Sequence, residues 1–313
     1  MKSLNISQRL ILFLLLALAL TCFASPWVAL GANWFSAKWP HFMSEQITFS
    51  RVFNRSFMIL AIILLIAARR LLIPGYLKEL IVIRVSAAWL SLLTGFALSV
   101  ASMALLLALM AAADIYTPYF RLSLERSLSR FTGAVVSGVF AGFMEEVFFR
   151  GLFFLGLYDS DRPLRAYVLA NLFYSAIHFV KPDVAYFMDP TDPLAGFRHL
   201  LNTFQPFAEP LQLLPGMFGL FLIGVILSFA LVRTGHLYLG IGLHAGWIVG
   251  LKMTRVFGDF TREQLGWAFG DTDPKIISGV ATWIGVLLVG LAVRQLTRQE
   301  SRLVTDQPPA ATV

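Results

Sequence analysis

The chain has 313 residues, of which 58% are hydrophobic and only 14% charged, and it carries a formal net charge of +7. Soluble domains run at about 45–50% apolar and about 25% charged, so this composition excludes an ordinary water-soluble fold and indicates a membrane protein. The Lys and Arg residues sit in short loops between apolar runs rather than in one patch, which fits lipid headgroups and argues against a nucleic-acid partner.

A bilayer crossing takes about 20 mainly apolar residues, and about eight segments qualify. They are residues 9–30, 55–74, 86–112, 132–157, 164–180, 211–233, 236–254 and 276–296. The first follows the basic start MKSLNISQRL, as in a secretory signal. Its apolar run continues through Trp27 to Leu30, which favours an uncleaved first helix over cleavage near Ser25. It also holds Cys22, the one cysteine, so no disulfide framework or cysteine metal site can be built.

All the spans are read as helices, because an unpaired strand leaves backbone groups unsatisfied in lipid. The expected architecture is an all-α, polytopic transmembrane bundle of about eight spans. Three N-terminal spans fall in residues 1–130, a core in 131–300, and a disordered tail in 301–313. Lys and Arg are balanced between the two sets of loops; the dense ARRLLIPGYLKELIVIR loop after the second span places both termini in the cytoplasm. The segment 181–210 is too polar and Pro-rich to span and is either a lid or a plain connection.

The fourth span, FTGAVVSGVFAGFMEEVFFRGLFFLGL, holds Glu145, Glu146 and Arg150. A charge at a helix centre costs roughly 2.5–3.5 kcal/mol to insert, so these groups need partners or a function. Glu146 and Arg150 stand at i and i+4 in the favourable order, which neutralises Glu146 and leaves Glu145, about 100° away, to face a cavity as a general base. The bland alternative is a charge cluster that snorkels to the interface.

In the fifth span, AYVLANLFYSAIHFV puts Asn171, Tyr174, Ser175 and His178 at i, i+3, i+4 and i+7, a polar stripe that must look inward. The seventh, HLYLGIGLHAGWIVGLKM, supplies His244, on a different face from the stripe of Gly242, Gly246 and Gly250. His41, His199 and His236 lie in loops or at helix ends and read as solvated. No H-E-x-x-H, P-loop, G-x-S-x-G or nucleotide fingerprint is present.

EEVFFR (145–150), YSAIH (174–178) and HAGWI (244–248) resemble, in order, the three motifs of the CAAX prenyl protease and bacteriocin-processing family of intramembrane peptidases. Those motifs are E-E-x-x-x-R, F-x-x-x-H and H-x-x-x-N or D, and the similarity covers roughly residues 132–252. The resemblance implies an eight-helix or similar bundle that hydrolyses peptides near the membrane surface. Glu145 and His178 would activate water, His244 would stabilise the oxyanion, and Glu146 and Arg150 complete the motif. It implies membrane lipids and a membrane-anchored or lipid-modified peptide as partners, in an integral protein of a bacterial inner membrane. A metal-free mechanism without cofactor is preferred to zinc, because one Glu and two distant His make a poor zinc signature.

Two residues depart from the motifs: Tyr174 stands for phenylalanine and Ile248 for the Asn or Asp that shares oxyanion stabilisation. Losing one such donor costs about 10²- to 10³-fold in rate, so the chain is a slower enzyme, one that recruits another donor such as Asn171, or a member that no longer cleaves. The alternatives are therefore a non-catalytic immunity or scaffold protein and, since buried Glu and His also serve as relays, a proton-coupled transporter.

Overall fold

The apolar runs fold as helices, since only a helix pairs every backbone group within its own segment. A computed structural model of the protein describes residues 4, 6–39, 48–180, 191–261, 265–270 and 275–298. The principal helices are α1 (Ile6–Lys38), α2 (Phe49–Ala67), α3 (Val85–Ala112), α4 (Leu124–Leu157) and α5 (Pro163–Ile177). They are followed by α6 (Ala195–Asn202), α7 (Pro210–Thr234), α8 (Tyr238–Met253) and α9 (Val280–Leu296).

Five of these, α1 to α4 and α7, are long and apolar enough to cross a membrane. The other three expected spans coincide with α5, α8 and α9, which have 15, 16 and 17 residues and fall short of the usual crossing length. Eight full spans are thus more than the helix lengths support. The tail 301–313 and His41 lie outside the described residues.

The chain divides into two units. The first comprises residues 1–74 and 176–213 and is built on α1, α2 and α6. α1 runs unbroken through Ser25, which is buried within it. Cys22, Ala29, Phe49, Val52, Phe53 and Ala195 form the core, and Gly196 lies against the Cys22 backbone, an approach that a side chain would block. Helix α6 lies in the segment read as too polar and Pro-rich to span. It buries Ala195, Gly196 and His199, and the His199 ring stands 4.7 Å from that of Phe53 and 5.5 Å from that of Phe49. His199 is therefore a core residue rather than a solvated one, because its one-turn spacing from Ala195 puts it on the inner face of an amphipathic turn.

The second unit comprises residues 75–175 and 214–313. At its centre is α8, buried along nearly its whole length. Gly242, Gly246 and Gly250 pack against Leu92, Phe96, Ser99 and Met103 of α3, with Gly95 returning the contact at Leu239 and Leu243. On the α4 side, Gly138 and Gly142 meet the backbone of Ala245 and Ile241. Small residues on both seams let three backbones approach closely, the usual device where lipid supplies no hydrophobic drive between helices. A two-stranded antiparallel sheet, β1 (Tyr116–Pro118) and β2 (Gly258–Phe260), was not foreseen and qualifies the all-α expectation. It is fastened by Tyr119 and Arg121, both bonded to Asp259, and by Tyr116, whose hydroxyl donates to the Thr254 carbonyl at 2.6 Å.

Replacing Gly242 by valine drives a side chain into the Leu92 backbone. Overpacking of this kind costs about 1–3 kcal/mol, read as a lower melting temperature in detergent. Burial pushes the His199 imidazole below its ordinary value of 6.5. The folded state then binds fewer protons than the unfolded chain, so stability declines as pH falls through the ordinary histidine range. The melting temperature should drop between about pH 7 and pH 5, and His199→Leu should flatten that drop.

Candidate active site

Helix α4 changes character where its charges begin. It is α-helical to Glu145, then a π-helix over Glu146–Phe154, in which the Leu155 N–H reaches back to the Arg150 carbonyl, five residues away. π-Segments are rare and occur frequently at functional sites. This one carries Glu146 and Arg150 inside the unit and turns Glu145 toward its rim.

The two glutamates differ sharply. The Glu146 side chain is 1% exposed and the Glu145 side chain 32%. Glu146 Oε1 lies 3.0 Å from Arg150 Nη1 and 3.0 Å from His244 Nδ1. A carboxylate paired with arginine only accepts hydrogen bonds, so Nδ1 of His244 is the donor in this contact. The other ring nitrogen, Nε2, then faces Glu145, with Oε2 at 3.6 Å, beyond a direct hydrogen bond. Gly240 stands beside Glu146, where a Cβ would come within 3.0 Å of Oε2, and Gly142 lies under the His244 Cβ. Glycines thus make room for the pair on both helices.

Arg150 is fully buried. Besides Glu146 it meets the Gly224 carbonyl of α7 at 3.4 Å, and its guanidinium stacks 4.2 Å from the centre of the Tyr174 ring. Tyr174 is also packed edge-on against Phe149 at 5.0 Å and stands edge-on to His244 at 6.3 Å. Asn171 and Ser175 of the same polar stripe are buried too, but they tie α5 to α7. The Asn171 amide donates to Tyr167 at 2.8 Å and accepts from Ser228 at 3.1 Å, while the Ser175 hydroxyl donates to the Met217 carbonyl at 2.6 Å. Ile248, one turn beyond His244, packs by Gly138 of α4 and brings no polar atom.

The structure therefore gathers Glu145, Glu146, Arg150, Tyr174 and His244 around one point of the second unit. His178 follows directly on α5, half-buried, and groups with the first unit. Gly224 and Ser228 were missed in the sequence; their signal was a small residue followed four positions later by the serine of an otherwise apolar stretch of α7. Zinc finds a poor donor set. Among the described residues no three His, Cys, Asp or Glu side chains gather to hold a metal ion. Glu146 is already committed to Arg150 and His244, which leaves Glu145 and Nε2 where a catalytic zinc takes three protein ligands.

Residues 127–249 match the family model described as type II CAAX prenyl endopeptidase, Rce1-like. That is the family the three motifs resemble. The matched segment covers well under half of the chain but contains every residue discussed at this site. No curated protein and no solved structure gives a significant match to the chain.

Removing one partner of a buried ion pair strands the other, at about 3–5 kcal/mol. Arg150→Met should lower stability in detergent by that order, and Arg150→Lys, which keeps the charge without the planar fork, should recover only part of it.

Proposed function

We propose that the protein is an intramembrane endopeptidase of the glutamate type, hydrolysing peptide bonds of membrane-anchored or lipid-modified proteins. One observation carries the reading: a histidine held between two adjacent glutamates, of which the inner is neutralised by arginine and the outer faces the rim. The match to an Rce1-like endopeptidase segment supports it.

In this reading Glu145 takes a proton from water as the water oxygen adds to the scissile carbonyl carbon. Negative charge moves to the carbonyl oxygen. His244 in its protonated form donates from both ring nitrogens, Nδ1–H to Glu146 and Nε2–H to that oxyanion. Glu146, fixed by Arg150, thereby sets the orientation of the ring. As the intermediate collapses the C–N bond breaks, the proton held by Glu145 passes to the leaving amine, and the products are a carboxylate and an amine. His178 is the second water-activating group that the motif resemblance supplies. No step calls for a metal or cofactor. The basic loop around Arg69, Arg70, Lys78 and Arg84 supports an orientation with both termini in the cytoplasm of a bacterial cell.

Glu145→Gln keeps the shape of the side chain and removes the base. A strain carrying it should accumulate the same uncleaved membrane precursor as a deletion strain, measured by comparing membrane proteomes. Cleavage that persists in a folded Glu145→Gln protein refutes the assignment. A scaffold or immunity protein would instead keep its phenotype in that variant.

A further inference from the structure

We infer that Tyr174 is a catalytic residue whose hydroxyl donates a hydrogen bond to the oxyanion beside His244, an inference that rests on the peptidase reading above. An oxyanion formed in a site walled by apolar helices concentrates a charge that a single donor stabilises incompletely; each well-placed donor is worth about 10²- to 10³-fold in rate. Nε2 of His244 supplies one. The next turn of α8 supplies none, because Ile248 occupies it.

The neighbouring polar side chains are engaged elsewhere. Asn171 bonds to Tyr167 and Ser228, Ser175 to the Met217 carbonyl, and Trp247 Nε1 to Ser102 at 3.1 Å. Tyr174 is placed differently. Its ring stands edge-on to His244 at 6.3 Å, beside the Glu146–Arg150 pair.

Position is fixed as well. The ring is held by the Arg150 guanidinium on its face at 4.2 Å, by Phe149 at its edge, and by the Gly224 backbone, where a Cβ would come within 3.0 Å of it. A donor locked in this way costs no reorganisation as charge develops. The hydroxyl keeps its proton throughout, so nothing has to be restored between turnovers. Phenylalanine at this position would retain the packing and the stacking and lose only the donor.

The test uses the full chain in liposomes, with a farnesylated, internally quenched peptide ending in cysteine, two aliphatic residues and a final residue as the probe. Tyr174→Phe should lower kcat by about 10²- to 10³-fold with KM and melting temperature little changed. Ile248→Asn, which places an amide one turn from His244 on the same face, should restore at least about tenfold of that loss in the Tyr174→Phe background. An undiminished kcat in Tyr174→Phe overturns the inference. So does a loss that comes with a lowered melting temperature, or one that Ile248→Asn leaves unrelieved, since either assigns the hydroxyl a structural role. Glu145→Gln is measured in parallel: a parent rate no higher than that of Glu145→Gln removes the peptidase reading itself, and the role of Tyr174 with it.

Discussion

A carboxylate and a guanidinium on one buried turn of a helix set the terms for everything packed around α4. Desolvating either ion costs several kcal/mol, and their mutual attraction recovers this only if the remaining donors and acceptors also find partners. Arg150 has more donors than Glu146 can satisfy, so it draws on the Gly224 carbonyl of α7 and the Tyr174 ring of α5. Glu146 has room for a second donor and takes it from His244 of α8. One ion pair therefore enlists three further helices, one of which, α7, contributes a group outside the three motifs.

That arrangement depends on how closely the backbones approach. α8 lies between α3 and α4 because its glycine stripe faces α3 while Gly138 and Gly142 of α4 face its other side. A bulkier residue at Gly142 would press on His244, and one at Gly240 would meet the Glu146 carboxylate. The same small residues that compensate for the missing hydrophobic drive in lipid thus also define the space in which the charged groups meet. Stability and site geometry rest on one set of glycines.

Much of this was legible in the sequence, for reasons that can be named. Hydropathy located each principal apolar helix because burial in lipid leaves few alternatives to a long apolar run. The i, i+4 order of Glu146 and Arg150 follows from helical periodicity alone and reappears as an ion pair; of the polar stripe, Asn171, Tyr174 and Ser175 are buried, while His178 lies past the end of α5 and is half-buried. What periodicity could not show is where it fails. The π-segment begins at Glu146 itself, so residues 146–154 are not spaced as in an ideal α-helix. Helix α6 was hidden because its eight residues lie between prolines and are too few for a periodic signal to stand out. His199 was misjudged with it, since a histidine in a polar segment gives no local sign of the phenylalanines it will meet from another helix. The pairing of β1 with β2 joins residues far apart in sequence, and three-residue strands carry no alternation to read.

The division between two neighbouring glutamates follows from the same geometry. Adjacent positions on a helix cannot share an environment, so a pair of acids at one helix turn is split into an inner and an outer member. The inner one is fixed by arginine and spends its remaining capacity on holding an imidazole; the outer one stays partly exposed. Arg150 connects the two halves, because the guanidinium that neutralises Glu146 also stacks on the Tyr174 ring. A lysine there would carry the charge but not the planar face or the fork, so it would satisfy the carboxylate and release the tyrosine. The choice of arginine at this position is thus accounted for only when both partners are considered together: the acid requires a cation, and the ring requires a flat one.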